Sequence, residues 1–311
     1  MRLYRTFPSL RRSPRPKPRA VAIGVFDGLH IGHQAILERA RGAAHELGGS
    51  SLVLTFEPTP KEFFSPATAP PRLTRFRERF ELLQALGIDE LFCAKFGAVR
   101  ELTPRAFIDD LLVGDLQARH VVVGDDFRFG ADRSGTVAEL RAHGGRHGLV
   151  VTEVPPVFFK GERVSSTAIR EALKAGDLAA ARSMLGRDYS ISGRVVRGLG
   201  LGRKLGFPTA NVNLKRLQTP VDGIFAARVT GLAGGPLDGV ASVGTRPTIG
   251  GGRALLEVLI FDFDRDIYGQ YITVEFVKRL REERHFADLE ALKRQMHADV
   301  TAARAALEER N

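Results

Sequence analysis

Residues 21–47 read VAIGVFDGLHIGHQAILERARGAAHEL. The opening VAIGVF is a short apolar run of the kind a buried strand shows. QAILERARGAAHEL sets Ala35, Ile36, Ala40, Ala43 and Leu47 on one broad helical face, and Gly48 and Gly49 stop it. Between strand and helix lies FDGLHIGH, where Asp27 and Gly28 suit a tight turn and Gly32 lets the backbone approach a ligand closely.

The same alternation continues outward from this unit. SLVLTF (51–56) predicts a strand, RFRERFELLQALG (75–87) a helix, ELFCAKF (90–96) a strand, PRAFIDDLL after Thr103 a helix, and HVVVG (120–124) a strand. Strand and helix in regular turn imply right-handed crossovers and a doubly wound parallel sheet covered on both faces. Ligands of such sheets bind beyond the carboxyl ends of the strands. SSTAIREALKAG and DLAAARSMLG predict two further helices that end this first part.

After Arg187 the pattern changes. ISGRVV, IFAARVTGL, GVASVG, LLEVLIFDF and YITVEFV are short β-branched or alternating runs between turn residues, as in a sandwich or barrel. A last helix over 287–308 carries Leu289, Leu292, Met296, Val300, Ala303 and Leu307 on one stripe suited to covering a barrel face. The expected domains are therefore 1–186 and 187–311, α/β followed by β.

The 311 residues, 43% hydrophobic and 26% charged, suit a folded chain with real cores. No apolar run approaches the roughly 18 to 20 residues of a membrane helix, and the N-terminus lacks the apolar region of a secretory signal. A cytoplasmic protein with no membrane partner is expected. Seven of the Lys and Arg residues lie within residues 1–20, which hold no acid, so the net charge of +10 is largely local. That arm is expected to be a solvated lead-in to the first strand. The single Cys93 excludes an intrachain disulfide and is expected to fill core.

HIGH places two imidazoles at the start of a helix, whose unpaired N–H groups and positive dipole end attract an anion. Such a site can stabilise charge developing on phosphate oxygens. Zinc would want a third ligand, and neither Cys93 nor His45 is an obvious one. No GxxxxGK[ST] occurs, and no GxGxxG follows the first strand.

GVFDGLHIGHQAIL, TFEPTPKEFF, VVVGDDFRFG and RVSSTAIREAL, in this order, resemble the adenylyltransferase half of the bacterial bifunctional riboflavin kinase/FAD synthetase family, one of the HxGH nucleotidylyltransferases. The resemblance implies that His30 and His33 bind ATP phosphates and stabilise the transition state. It also implies that Gly24, Phe26, Asp27 and Gly28 line the nucleotide, that Asp126 lies near the nucleotide and its metal, and that Arg163, Ser166 and Thr167 close over the phosphates. Thr59 stands where this family is expected to favour His.

GLGLGRKLGFPTANVN (198–213) is a glycine-rich loop with Arg203 and Lys204, followed by PTAN. Thr209 and Asn211, two apart, face one side of an extended chain, and both are hard oxygen ligands of the kind Mg²⁺ accepts. GRKLGFPTAN, DGIFAARV, SVGTRPTIGGG and LEVLIFDFDRDIYGQYITVEFVKRLREERHF resemble the riboflavin kinase module of the same family, a small six-stranded barrel. By that resemblance Thr209 and Asn211 make the Mg²⁺ and ATP site, with Gly202 and Lys204 in the loop. Glu257 is the base for the flavin 5′-hydroxyl. Asp262, Asp264 and Asp266 lack the EF-hand glycine and glutamate and are read as a turn.

The expected ligands are Mg²⁺, ATP and the flavins riboflavin, FMN and FAD. A class I aminoacyl-tRNA synthetase would explain HIGH but needs a KMSKS-like loop where this chain has VSSTA. A nucleic-acid-binding protein is unsupported outside the basic arm. Self-association is left open.

Overall fold

Six parallel strands build the first sheet. In chain order they are β1 Arg2–Tyr4, β2 Arg19–Ile23, β3 Ser50–Glu57, β4 Glu90–Lys95, β5 Ala118–Gly124 and β6 Val150–Val154, arranged β1-β4-β3-β2-β5-β6. The computed structural model describes residues 1–12, 18–198, 202, 205–245 and 254–310. The helices are α1 Phe7–Arg11, α2 Ile31–Glu46, α3 Pro60–Phe64, α4 Phe76–Ala85, α5 Phe96–Val99, α6 Pro104–Ala106, α7 Val137–Gly144, α8 Ser166–Ala175, α9 Leu178–Leu185 and α10 Leu289–Glu308. A π-helical segment, Phe107–Asp115, continues α6.

Every residue of β2 is buried because both sheet faces are covered. Successive side chains point to opposite faces, so Val21 and Ile23 join one core with Val121, Val123, Ile108 and Leu140, while Ala22 joins another with Val122, Leu37 and Leu83. The π-helical segment and α7 thus lie on one face, α2 and α4 on the other. Cys93 is buried, as expected.

Two features differ from the sequence expectation. The basic arm is built into the fold at its start: β1 pairs in parallel with β4, and α1 buries Leu10. Tyr4 and Leu10 anchor it, while Arg2, Arg5, Arg11 and Arg12 stay exposed; charge counting overlooks two apolar anchors. The second feature is β6, a sixth strand that follows α7. Its Val150 is exposed at the sheet edge, so it lacks the long apolar run that marks the central strands.

The second unit is a closed antiparallel barrel. Its strands are β9 Ser190–Val196, β10 Ala210–Asn213, β11 Gly223–Thr230, β12 Leu237–Thr245, β13 Ala254–Ile260 and β14 Tyr271–Arg281, closing in the order β10-β13-β12-β11-β14-β9. The intervening β7 Phe158–Phe159 and β8 Glu162–Arg163 form a separate hairpin. The C-terminal end of α10 buries Ala303, Ala306 and Leu307 with Ala226 and Phe261 of the barrel unit. Arg281 of β14 fixes the helix through a two-pronged ion pair to buried Asp299, at 2.8 and 2.7 Å. The predicted stripe covers the barrel from Leu292 onward, but Leu289 is exposed.

By residue contacts the chain divides into Met1–Pro70 with Thr74–Ser165, and Pro71–Leu73 with Ser166–Asn311. The helices α8 and α9, which the sequence assigns to the first domain, fall in the second of these units.

Candidate active sites

Strand order reverses between β2 and β5, so the crevice beyond their carboxyl ends is the switch point of the sheet. FDGLHIGH leaves β2 there. The helix begins at Ile31 rather than Gln34, with His30 as N-cap: its Nδ1 accepts from His33 N at 3.3 Å. HIGH is therefore a cap and first turn, with backbone N–H groups directed at the crevice. The two imidazoles stack, ring centres 3.6 Å apart, and Phe26 meets His33 edge-on.

Backbone strain accompanies this turn. Phe26 (φ 52°) and Leu29 (φ 45°) take left-handed conformations that non-glycine residues seldom adopt, and both are buried. Surrounding bonds hold them. Asp27 accepts from Thr74 N at 2.9 Å and Thr74 Oγ1 at 3.2 Å, while Thr74 Oγ1 accepts from Gly28 N at 2.9 Å. Arg79, fully buried in α4, donates to Val25 O at 2.8 Å and to Glu57 at 3.0 Å. Gly24 N donates to Leu54 O, and an added Cβ on Gly24 would press on the Phe26 ring.

Burial holds the His33 pKa well below its ordinary value, and the charges of His30 and Arg79 push it the same way. His33 is thus a neutral imidazole at pH 7. Its Nδ1 is buried without a hydrogen-bond partner.

GDDF leaves β5 on the other side of the switch. Asp126 is exposed, with its carboxylate next to Gly124 and near the site where Ile36 of α2 packs. Arg163 grips Asp125 with both guanidinium nitrogens, at 2.6 and 3.2 Å, and lies 3.5 Å from Asp126. Asp125, Thr74 and Arg79 were not singled out from sequence; adjacent acids in GDDF and a basic residue in a helical run give no sign of which one is tied down. Ser166 and Thr167 open α8 in the second unit.

A cavity of about 840 Å³ also opens at the carboxyl ends of the strands, lined by Phe56 at the end of β3, Phe96 after β4, and Phe107 and Phe127 beyond. Lys61, Arg100, Arg128 and Arg133 line it together with Glu101 and Asp132, and Arg100 is paired with Glu101 at 2.8 Å. Thr59, at the position expected to be His, instead caps α3 in a reciprocal pair with Glu62. Scattered phenylalanines carry no spacing signal, so this cavity was not legible in the sequence.

In the barrel, Asn211 of β10 stands in register with Glu257 of β13, and Glu257 with Ser242 of β12. Paired residues project to the same face, here the outer face of the barrel, where Glu257 and Ser242 share a cavity with Met296 and Val300 of α10. Thr209, two residues before Asn211, shares a cavity of about 540 Å³ with Glu257, Ser242, Phe286, Met296 and Val300. It also lines a second cavity, of about 700 Å³, with Arg197, Asp264, Arg265 and Tyr268. The glycine-rich loop meets this edge. A Cβ on Gly198 would overlap the Asn211 carboxamide, and one on Gly202 would come within 3.1 Å of Thr209 Oγ1. Lys204 lies outside the described residues.

Two family models match separate parts of the chain. Residues 12–168 match the FAD synthetase family model, and residues 185–307 match the riboflavin kinase model. The chain belongs to the bifunctional riboflavin kinase/FMN adenylyltransferase family. The member of that name from Escherichia coli K12 is 44% identical over 98% of this chain and 97% of its own length. The Pseudomonas fluorescens member is 46% identical over the same shares. A crystal structure of a protein described as a macrolide-efflux protein from Streptococcus pneumoniae superposes with a TM-score of 0.84 at 31% identity, covering 96% of this chain and 97% of that one. Among the described residues no helix is long and apolar enough to cross a membrane.

Proposed function

We propose that this chain catalyses two consecutive ATP-dependent reactions on a flavin. The 187–311 half transfers the γ-phosphoryl group of ATP to riboflavin, giving FMN and ADP. The 1–186 half transfers the adenylyl group of a second ATP to FMN, giving FAD and pyrophosphate. The observation that supports this most is that each family-matched half holds its own phosphate-suited constellation: His30 and His33 at the sheet's switch point, and Thr209, Asn211 and Glu257 on one barrel face.

For adenylyl transfer, an FMN phosphate oxygen attacks the α-phosphorus while the bond to the departing pyrophosphate oxygen breaks. Phosphate is already a competent nucleophile, so the protein supplies position and charge stabilisation. The first turn of α2 offers N–H groups, and the two imidazoles face the charge that builds on the α-phosphate oxygens. The phenylalanine-lined cavity suits an isoalloxazine ring, and Lys61, Arg128 and Arg133 in its lining suit a phosphate.

For the kinase step, Glu257 takes the proton from the flavin 5′-hydroxyl as that oxygen attacks the γ-phosphorus, and ADP leaves. The cavity beneath α10 holds the flavin, and the cavity on the other side of Thr209 holds ATP. Thr209, Asn211 and, in the other half, Asp126 offer oxygen donors alone, a set that fits Mg²⁺. When bound, that ion neutralises phosphate charge. No nucleic acid or membrane partner enters this proposal, and a cytoplasmic location is part of it. Chromatography of a mixture of the protein, riboflavin, ATP and Mg²⁺ tests it: FMN should appear first and FAD after it. Absence of both flavin products would refute it.

A further inference from the structure

A cluster that neither proposed reaction uses lies on the outer layer of the first unit. Asp109 belongs to the π-helical segment, His143 to the last turn of α7, and His147 to the 3₁₀ turn that continues it. Four residues apart on one helical path, the two imidazoles lie one above the other. Burial of Phe107, Ile108, Leu111 and Leu112 seats the π-helical segment on the sheet, and α7 packs beside it. Asp109 is left at the junction of the two elements.

There His143 Nε2 lies 2.8 Å and His147 Nε2 2.9 Å from one oxygen, Asp109 Oδ1. The three potential ligand atoms all lie within 4.8 Å of one another, in the one such grouping of three His, Cys, Asp or Glu side chains among the described residues. His143 Nε2 hydrogen-bonds to that oxygen, and His147 Nε2 stands at ion-pair distance from it. Nitrogen and oxygen bound to Zn²⁺ at about 2.0–2.1 Å sit about 3.3 Å apart in a tetrahedron, so the two nitrogen–oxygen separations need widen by only a few tenths of an ångström to admit an ion between them.

We propose that Asp109, His143 and His147 form a site for a divalent transition metal of the Zn²⁺ class, with the remaining positions left to water. Two imidazoles and one carboxylate at helical spacing are what such ions take. Mg²⁺ prefers oxygen alone, so this site is separate from the magnesium of the proposed reactions. The side chains of His143, Asp109 and His147 are 17%, 32% and 38% exposed, which gives the ion a path in. A bound ion ties the π-helical segment to α7 and stabilises this layer through linkage.

The test uses the full chain stripped of metal by chelation. Titration with Co²⁺ should give a visible d–d absorption that saturates at one ion per chain, Zn²⁺ should displace it, and Zn²⁺ should raise the thermal unfolding midpoint. Asp109→Asn, which keeps an oxygen acceptor for both imidazoles, should weaken binding at least about tenfold, the lower bound for losing even an outer partner of a metal site. The pair His143→Asn with His147→Asn should abolish the Co²⁺ band and the Zn²⁺ shift, while His33→Asn should keep both. No band and no shift in the unsubstituted protein would overturn the assignment. Binding that survives Asp109→Asn and the double substitution yet disappears with His33→Asn would overturn it equally.

Discussion

Asn211 and Glu257 face each other in register across β10 and β13, so a buried carboxamide and the proposed base share one row of the barrel. Neither can move independently without disturbing that ladder. Asn211→Ala removes an oxygen donor and leaves the strand pairing intact. It should raise the Mg²⁺ concentration needed for half-maximal FMN formation from riboflavin, while adenylylation of supplied FMN keeps its metal dependence. Initial rates across a Mg²⁺ series measure both, and equal shifts in the two reactions would count against the assignment.

His33 gives a pH prediction whose sign follows from linkage. Its folded pKa lies well below the ordinary 6.5, chiefly through burial. Below about pH 6.5 the unfolded chain binds a proton that the folded chain refuses, so stability is full above that pH and falls as pH drops toward the folded pKa. Denaturant melts of His33→Gln between pH 7.5 and 5 should therefore fall less steeply than those of the unsubstituted protein. A triphosphate placed beside the imidazole raises its pKa, so ATP binding should take up a proton as pH falls toward the folded pKa. Calorimetry in two buffers of different ionisation enthalpy reads that uptake, which His33→Gln should remove.

Arg79 bonds Val25 O and Glu57 from a fully buried position. Arg79→Met leaves those acceptors without that donor. Glu57 is 31% exposed, so water screens the carboxylate left behind, and the loss in urea melts should be about 1.5–3 kcal/mol, the size of one charge-assisted bond. At temperatures where the variant stays folded, adenylyl transfer should fall more than phosphorylation of riboflavin, because Val25 leads into the strained turn at Phe26.

Phe127 is half-buried in the aromatic cavity, stacked near Phe129. Phe127→Ala removes one aromatic contact, worth about 0.5–1.5 kcal/mol, and should raise the KM for FMN about three- to tenfold with a smaller change for ATP. Steady-state rates with each substrate varied separate the two.

Much of this architecture was legible because periodicity reports burial. VAIGVF, SLVLTF and HVVVG are central strands covered on both faces, and their apolar runs stand out. HIGH and PTAN were readable because their chemistry is compact in sequence. What escaped depends on long-range geometry. Thr74 clamps Asp27 across 47 residues, Arg79 reaches Val25 across 54, and Arg163 chooses Asp125 over its neighbour across 38. β1 joins the sheet through three residues whose apolar content is too small to show. The aromatic cavity gathers phenylalanines from several strand ends, which no local window contains.

The central claim is that two separate sites act on different phosphorus atoms of ATP, and product chromatography of His33→Ala and Glu257→Gln tests it most directly. With riboflavin, ATP and Mg²⁺, His33→Ala should accumulate FMN while FAD formation falls by about 10²–10³. Glu257→Gln should lose about 10²–10⁴ in FMN formation yet adenylylate supplied FMN at the unsubstituted rate. If either variant, shown folded by its thermal melt, loses both reactions together, the two-site account is contradicted.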